Sequence, residues 1–339
     1  ISTSSWYYDD YTPQAVGMRD VAVRQDNGYY KLRCGGWIAE SDVTAERGKS
    51  VPLAALNSAA MSADSKFTYL TLGVSQNVPL NGYVKDGTFY LTVYNTNADN
   101  AQAPAVKSDN LLFSQITKNA DKSKNTVTFA LKLKNSNNFY GFEWSYNSDG
   151  SVTIKFRNPQ GLAAGDKPLT GKKILLDAGH GGAETGTTGP VPGKTEAHFN
   201  LQIVLAAKKR LEELGAAVTL TRSDETTFKL SPDRLDFVNK INPDLCVSVH
   251  QNALDLNADI TRVRGTVALY WASSGRLLSE SVSKSVTSAL GYYERNVTQQ
   301  RLAMVRNPKF PSTLVEVSFL TCVEEVEKLQ NGGVDTAAR

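Results

Sequence analysis

The hydrophobic pattern of this chain changes character near residue 170, and this change constrains the fold more than any other feature. Before it, short runs such as Gly87–Tyr94 alternate between apolar and polar residues, and segments rich in Asn, Asp, Ser and Gly separate them. Alternation with a period of two predicts half-buried strands, and many such strands are typical of a β-sandwich or barrel. The turn-rich segment Asn158–Thr170 is interpreted as a linker.

After the linker, strand-like apolar runs alternate with helical patterns. We predict helices over Glu196–Leu214 and Ser279–Leu290, each followed by a glycine, and a further helix that opens at Ser231-Pro232. The predicted strands between them are Lys172–Leu176, Ala217–Thr221, Leu245–Val249, Thr266–Trp271 and Thr313–Val317. The chain is therefore predicted to be multidomain, with an N-terminal all-β region and then an α/β domain whose mostly parallel sheet is flanked by helices.

Composition excludes several classes of function. A formal net charge of +3 over 339 residues is too small for a nucleic-acid footprint. The chain has three cysteines, a sparse and odd set that does not build a disulfide framework. Since no apolar run reaches the roughly 18 residues that a membrane-spanning helix needs, we expect no transmembrane segment. The chain begins with Ile1, so we expect a processed or trimmed product, for which export stays open.

Two of the three histidines follow buried strands in the second half. His180 lies in a glycine-rich turn after Lys172–Leu176, and His250 ends the run that begins at Leu245. A single histidine at a strand end is usually a hydrogen-bonded surface residue. Two of them at the carboxyl edge of one parallel sheet, where sites in such folds lie, indicate a metal site.

A catalytic zinc ion typically takes three protein ligands, so a third is needed. Glu196 is the leading candidate because it begins the helix that follows the glycine-rich turn. His198 is the competitor, but two helical residues that are two apart point about 200° away from each other, so only one can reach the ion. Glu196 also has a simpler interpretation, because an acidic residue in the first turn favours the helix dipole.

Glu316 interrupts the apolar strand Leu314–Leu320. A carboxylate there is costly unless it is paired or functional, and beside a metal it would make a general base for a bound water. The alternative is a glutamate that faces solvent at the edge of the sheet, which the alternation of the strand permits.

Four segments occur in the order Leu-Asp-Ala-Gly-His-Gly-Gly, Glu-Ala-His-Phe-Asn-Leu, Ser-Val-His-Gln-Asn-Ala and Leu-Val-Glu-Val-Ser-Phe-Leu. In this order they resemble the zinc-dependent N-acetylmuramoyl-L-alanine amidases of bacterial cell walls, the amidase_3 family, over about residues 172–330. The resemblance implies that His180, Glu196 and His250 hold one zinc ion and that Glu316 is the catalytic glutamate. Ser318 departs from the family, where glycine is common, and we expect the family's final helix to be truncated at Arg339.

The activity implied by the resemblance is hydrolysis of the amide between N-acetylmuramic acid and L-alanine in peptidoglycan, as in cell-wall remodelling, cell separation or lysis by an autolysin. We expect a protein that is secreted or associated with the cell wall of a bacterium. Asp177 and Asn252 are candidates for fixing imidazole tautomers or holding substrate amides, with ordinary turn and strand-end hydrogen bonding as the alternative. For Arg234 we favour a structural ion pair over a contact with substrate.

The first half resembles wall-binding modules more weakly. Residues 47–168 resemble the β-rich AMIN-like region that precedes some of these amidases, and residues 1–46 resemble the end of a bacterial SH3-type repeat. The predicted domains are therefore 1–46, 47–168 and a catalytic domain over 169–339, although the first two could be one. Aromatic side chains that stack on sugars would suit wall binding, but aromatics also favour strands in any sheet.

Two other functions stay open from the sequence. One is a zinc peptidase that cuts within the peptidoglycan stem peptide. The other is a non-catalytic wall-binding or adhesion protein, which the presence of all four metal and base residues argues against.

Overall fold

The computed structural model describes residues 14–15, 17–97, 101–226, 231–255 and 263–339, and for 231–233 it describes the backbone alone. By its internal contacts the chain divides into unit 1, residues 1–160, and unit 2, residues 161–339. An N-terminal all-β region and a C-terminal α/β domain with flanking helices are thus confirmed. The SH3-like interpretation of 1–46 and the AMIN-like interpretation of 47–168 stay predictions.

Unit 1 consists of β-strands, apart from the single 3-10 turn Glu40–Asp42 within its described residues. Its strands form sheets in the orders β1-β2-β3, β6-β7-β10-β9 and β11-β12-β5-β4-β8. They are β1 Ala22–Asp26, β2 Tyr29–Leu32, β3 Trp37–Ala39, β4 Ala54–Ala63, β5 Phe67–Val74, β6 Leu80–Lys85, β7 Thr88–Tyr94, β8 Thr96–Asn97, β9 Phe113–Asp121, β10 Thr126–Leu133, β11 Phe142–Tyr146 and β12 Ser151–Arg157.

The core of unit 1 follows directly from the alternation in its sequence. In β5, β7, β10 and β12 every second side chain is buried. Phe89 of β7 lies at the centre, with its ring centroid 4.7 Å from that of Phe142 and 4.9 Å from that of Phe156. Both contacts are edge-to-face, the arrangement that aromatic quadrupoles favour. One hydrophobic cluster contains residues of both larger sheets, so their inner faces pack on each other.

We predict that Phe89→Ala lowers the free energy of unfolding of unit 1 by about 3–5 kcal/mol, because it leaves a cavity among the other rings. Hydrogen exchange of the amides of β7 and β12, followed by mass spectrometry, measures this locally. Leu111→Ala is the control, since Leu111 is 50% exposed. Equal protection of these amides from exchange in both variants would contradict the predicted contribution of Phe89 to the stability of unit 1.

Unit 2 contains one sheet in the order β14-β13-β15-β18-β16-β17 within the described residues. Its strands are β13 Lys173–Ala178, β14 Ala217–Leu220, β15 Leu245–Asn252, β16 Val267–Tyr270, β17 Thr298–Gln299 and β18 Ser312–Phe319. Its helices are α1 Glu196–Glu213, α2 Ser231–Ile241, α3 Arg276–Leu290, α4 Val323–Lys328 and α5 Val334–Ala337, with 3-10 turns at Ser273–Gly275 and Ala303–Val305 and a kinked turn at Leu329–Gly333.

The sheet of unit 2 is mixed: four of its five described pairings are parallel, and one is antiparallel. Strands β14, β13, β15 and β18 run parallel to their neighbours in that order, whereas β16 pairs antiparallel with β18. The short strand β17 then pairs parallel with β16. The sequence could not show this reversal, because the direction of a strand depends on the path of its connection and not on its own residues.

Helices cover both faces of this sheet. Phe199 and Val204 of α1 pack with Ile174 and Leu176 in one cluster, which α3 also joins. Leu175 and Cys246 point to the opposite face and pack with Val238 of α2. Within the described residues, none of the helices has the length and apolar character of a membrane span.

Candidate metal centre

The turn after β13 brings His180 to the edge of the sheet. His180 has φ +60°, and Gly181 and Gly182 continue the left-handed backbone, which suits glycine. Arg222, buried, fixes this turn by donating to the carbonyl oxygens of Ala178 and Gly179 at 3.1 Å each and of Ala197 at 2.7 Å. The imidazole of His180 is thereby held next to the first turn of α1.

Helix α1 supplies the acidic member of the site. Thr195 is its N-cap, whose hydroxyl oxygen accepts from the amide of His198 at 3.3 Å, so Glu196 is the first helical residue. The Glu196 carboxylate lies 3.3 Å from Nε2 of His180 and 2.7 Å from Nδ1 of His250. Donor atoms of these three residues all lie within 4.8 Å of one another, as binding to a single metal ion requires.

Hydrogen bonds hold the buried carboxylate of Glu196 in its ionised form. Burial alone would raise its pKa, but hydrogen bonds from His180 and His250 and the amide of Thr187, which donates at 2.9 Å, lower the pKa well below its usual range. For His250, burial would lower the pKa, and the hydrogen bond to Glu196 raises it instead. The three side chains therefore form an electrostatically coupled cluster.

Glu316 lies beside this cluster, on the neighbouring strand. It is the register partner of His250 across the β15–β18 pair. Burial raises its pKa to about 7, and the nearby Glu196 adds to this effect. Its Oε2 atom is buried and accepts no hydrogen bond from the described residues. A buried carboxylate oxygen without a partner is costly, and such groups occur mainly where function requires them.

His198 lies apart from the cluster. Its Nδ1 is 3.2 Å from the carboxylate of Glu225 and its Nε2 is 3.0 Å from the amide nitrogen of Gln202. This is the outcome that helix geometry predicted for the residue two positions after Glu196.

Asp177 and Arg234 form a buried pair behind the His180 turn. Asp177 is fully buried, accepts from Thr221 at 2.7 Å and Ser248 at 2.5 Å, and lies 3.2 Å from Nη1 of Arg234. The Nη2 atom of Arg234 donates to the carbonyl oxygen of His180 at 3.3 Å. Arg234 thus joins a buried charge to the backbone of a candidate ligand, in agreement with the structural ion pair favoured from the sequence.

A second buried network was not foreseen from the sequence. Asn200 donates to the carbonyl oxygen of Gly179 at 3.1 Å and accepts from the Gln251 amide nitrogen at 3.1 Å. Ser318 in turn donates to the side-chain oxygen of Gln251 at 2.7 Å. The one available signal was the i, i+4 spacing of Glu196 and Asn200, which places both on one face of the helix.

The packing of His250 depends on the absence of a side chain at Gly179. A Cβ atom there would lie 2.3 Å from Cε1 of His250, closer than real Cβ contacts come. Gly186 approaches Glu196 in the same way, with a Cβ 2.5 Å from Oε2. Two glycines therefore make room for the cluster.

We predict that Gly179→Ala destabilises unit 2 by about 1–3 kcal/mol, because the imidazole of His250 and the backbone must move apart. Differential scanning calorimetry of the full chain measures the lowered unfolding transition. Gly161→Ala serves as the control, since a Cβ at Gly161 meets nothing within 4 Å. Identical transitions in both variants would contradict the close packing.

Comparison with known proteins relates most of unit 2 to one family. Residues 174–337 match the Amidase_3 family, described as N-acetylmuramoyl-L-alanine amidase. This match covers most of unit 2 and agrees with the family expected from the sequence.

Individual relatives agree with this family. The chain is 28% identical over 207 residues to the N-acetylmuramoyl-L-alanine amidase LytC of Bacillus subtilis, covering 61% of this chain and 40% of that protein. It is 27% identical over 164 residues to the probable cell wall amidase LytH of Staphylococcus epidermidis, covering 48% and 53%. The chain thus spans about half or less of the length of these relatives.

Two solved structures are also similar to part of this chain. An N-acetylmuramoyl-L-alanine amidase from Clostridium difficile 630 is 27% identical with a TM-score of 0.46, covering 49% of this chain and 90% of that one. AmiC2 of Nostoc punctiforme is 27% identical with a TM-score of 0.46, covering 50% and 92%.

Proposed function

We propose that unit 2 is a zinc-dependent amidase that hydrolyses the bond between N-acetylmuramic acid and L-alanine in peptidoglycan. The observation that carries this proposal is the Glu196 carboxylate between two imidazoles, with Glu316 in register beside His250. Two histidine nitrogens and one carboxylate oxygen are a donor set of catalytic zinc, which keeps a fourth position for water or substrate. The residues present therefore fit zinc.

In this proposal, His180, Glu196 and His250 hold the ion. When bound there, zinc supplies Lewis-acid polarisation of the scissile carbonyl and lowers the pKa of a water to about 7. Glu316 accepts a proton from the attacking water and returns it to the nitrogen of the leaving L-alanine. Burial raises the pKa of Glu316, which favours holding the proton before its return, and the charge of a bound zinc ion would favour the carboxylate that accepts it.

The described surroundings of the site support direct attack by water. The Ser248 hydroxyl is fully buried and donates to Asp177, so it is committed to a structural bond. Burial raises the pKa of the Cys246 thiol well above its usual range, which disfavours the reactive thiolate. Neither side chain is suited to act as a nucleophile.

Glu316→Gln is expected to lower the rate of peptidoglycan hydrolysis about 10²–10⁴-fold while zinc stays bound, because the variant keeps the shape and loses the proton acceptor. His180→Ala should lose both zinc and activity, and so should the wild type after chelation. The assay combines zinc content with the release of L-alanine amino termini from purified peptidoglycan whose glycan stays intact.

His198→Ala is the matched control for His180→Ala, and it should keep both zinc and activity because His198 pairs outside the cluster. Digestion by Glu316→Gln at the wild-type rate would refute the assignment of the base. New amino termini other than L-alanine would indicate a stem-peptide peptidase instead.

We assign Arg234 and Asp177 to the positioning of His180. Arg234→Lys keeps the charge beside Asp177 and loses the second arm that reaches the His180 carbonyl, so zinc affinity should fall about 10-fold or more. Competition with a fluorescent chelator measures the affinity. Arg276→Lys is the control, since Arg276 pairs with Glu280 on the exposed side of α3. Equal affinities in both variants would remove Arg234 from this role.

Unit 1 is proposed to bind peptidoglycan, and the whole chain to act outside the membrane at a bacterial cell wall. Support for the first proposal comes from the outer side of unit 1, where Tyr83 stacks on Tyr90 with ring centroids 5.3 Å apart and remains 48% exposed. Such a pair offers an aromatic face to a sugar ring. Asn252 is assigned to holding the substrate.

A further inference from the structure

A cavity of about 830 Å³ lies in unit 2 at the edge of the sheet that carries His250 and Glu316. We name it the Arg295 groove, and it is defined by six of its lining residues: Asn252, Arg264, Val267, Tyr293, Arg295 and Phe319. None of these residues contributes to the cluster of His180, Glu196 and His250.

The groove adjoins the proposed catalytic residues. Val267 of β16 is the register partner of Glu316. Asn252 lies two residues after His250 on β15, and its register partner is Phe319. The register of the β15–β18 pair shifts between His250 and Asn252, so Asn252 and Phe319 lie just beyond His250 and Glu316 along their strands. A substrate that reaches Glu316 would extend toward these positions.

The two arginines of the groove differ in their partners. Arg264 forms an ion pair with Glu324 at 2.5 Å and lies over the ring of Tyr293, with its guanidinium carbon 5.2 Å from the centroid. The guanidinium carbon of Arg295 lies 5.8 Å from the centroid of the Phe319 ring, and its Nη1 atom donates to the carbonyl oxygen of Arg264 at 3.5 Å. In the described part of the chain, no carboxylate forms an ion pair with Arg295, and the nearby Glu294 is exposed.

A half-buried guanidinium that lacks an acidic partner favours an anion, and a planar fork of donors matches a carboxylate. Asn252 adds a second donor. Its side-chain oxygen accepts from the amide of Ala253 at 2.8 Å, which turns its NH₂ group to other partners, and the described residues offer it none. A carboxylate and a peptide carbonyl are the two acceptors that suit these groups.

Backbone hydrogen bonds fix the wall of the groove that carries Arg295 without the help of a ligand. The amide of Thr266 donates to the carbonyl of Tyr293, and the amide of Arg295 donates back to that of Thr266, each at 3.1 Å. At Gly265, which has φ +101°, a Cβ would lie 2.3 Å from the Tyr293 carbonyl oxygen, so the two segments pack closely. A rigid wall reduces the entropy that binding would otherwise cost.

From these contacts we infer that the Arg295 groove binds the acidic peptide part of the substrate, with Arg295 on a peptide carboxylate and Asn252 on a peptide carbonyl. This inference rests on the proposed function and adds the part of the substrate that lies beyond the scissile amide. Arg295 is then a specificity-determining residue that acts on binding and not on proton transfer.

The test uses two synthetic N-acetylmuramoyl peptides that differ only in whether the peptide carboxylates are free or amidated. For the wild type, we expect a KM about 10-fold or more lower for the free carboxylate, since hydrogen bonds to charged groups are the stronger ones. Arg295→Gln should raise the KM for the free carboxylate about 10-fold and leave the amidated peptide within about 2-fold. Arg295→Lys should recover part of the difference.

Arg210→Gln is the control, because Arg210 lies on the exposed side of α1 and pairs with Glu213. Equal loss on both peptides in Arg295→Gln would show a merely structural role and overturn the inference, as would no loss on either. Calorimetric binding of the released peptide to zinc-loaded protein tests the groove without turnover. If that peptide binds through Arg295 while no amide is cut, the groove stands and the proposed activity fails. If it does not bind, the groove is refuted whatever the activity.

Discussion

The carboxylate of Glu196 is the interaction on which the site of unit 2 depends. It reaches the imidazoles of His180, in the turn after β13, and of His250 on β15, and it belongs to the first turn of a helix. Three elements that are distant in sequence therefore converge on one pair of oxygen atoms. Because the carboxylate is buried, its charge must be balanced, and the histidines and backbone amides provide that balance.

Behind this centre lie two polar networks that hold the residues of the cluster in place. Arg222 and Asn200 both donate to the carbonyl of Gly179, which fixes the turn that carries His180. Asn200 continues through Gln251 to Ser318 on β18, the strand of Glu316. Through Ser318, this network ties the strand that carries Glu316 to helix α1. Buried networks of this kind make the geometry of a site specific because each member is satisfied in one arrangement.

Unlike the members of these networks, Glu316 has a polar side-chain atom without a hydrogen-bond partner among the described residues. This atom is the buried Oε2, and burial raises the pKa of Glu316 to about 7. A buried polar atom without a hydrogen-bond partner lowers stability, and such exceptions are expected mainly at functional sites. The Arg295 groove shows the same feature with opposite charge, since a half-buried guanidinium there lacks an acidic partner. In the proposed function, the substrate completes this surface.

The sequence by itself determined the two fold classes, since a period of two and an alternation of strands with helices are local patterns that side-chain burial enforces. It also predicted that Glu196, and not His198, would face the two strand-end histidines, because the direction of a helical side chain follows from its position. Only the tertiary structure decided the reversed direction of β16, the path from Asp177 through Arg234 to His180, and the groove beside Glu316. These features depend on contacts between residues that are far apart in the chain, and no local pattern specifies which distant partner a buried polar group will meet.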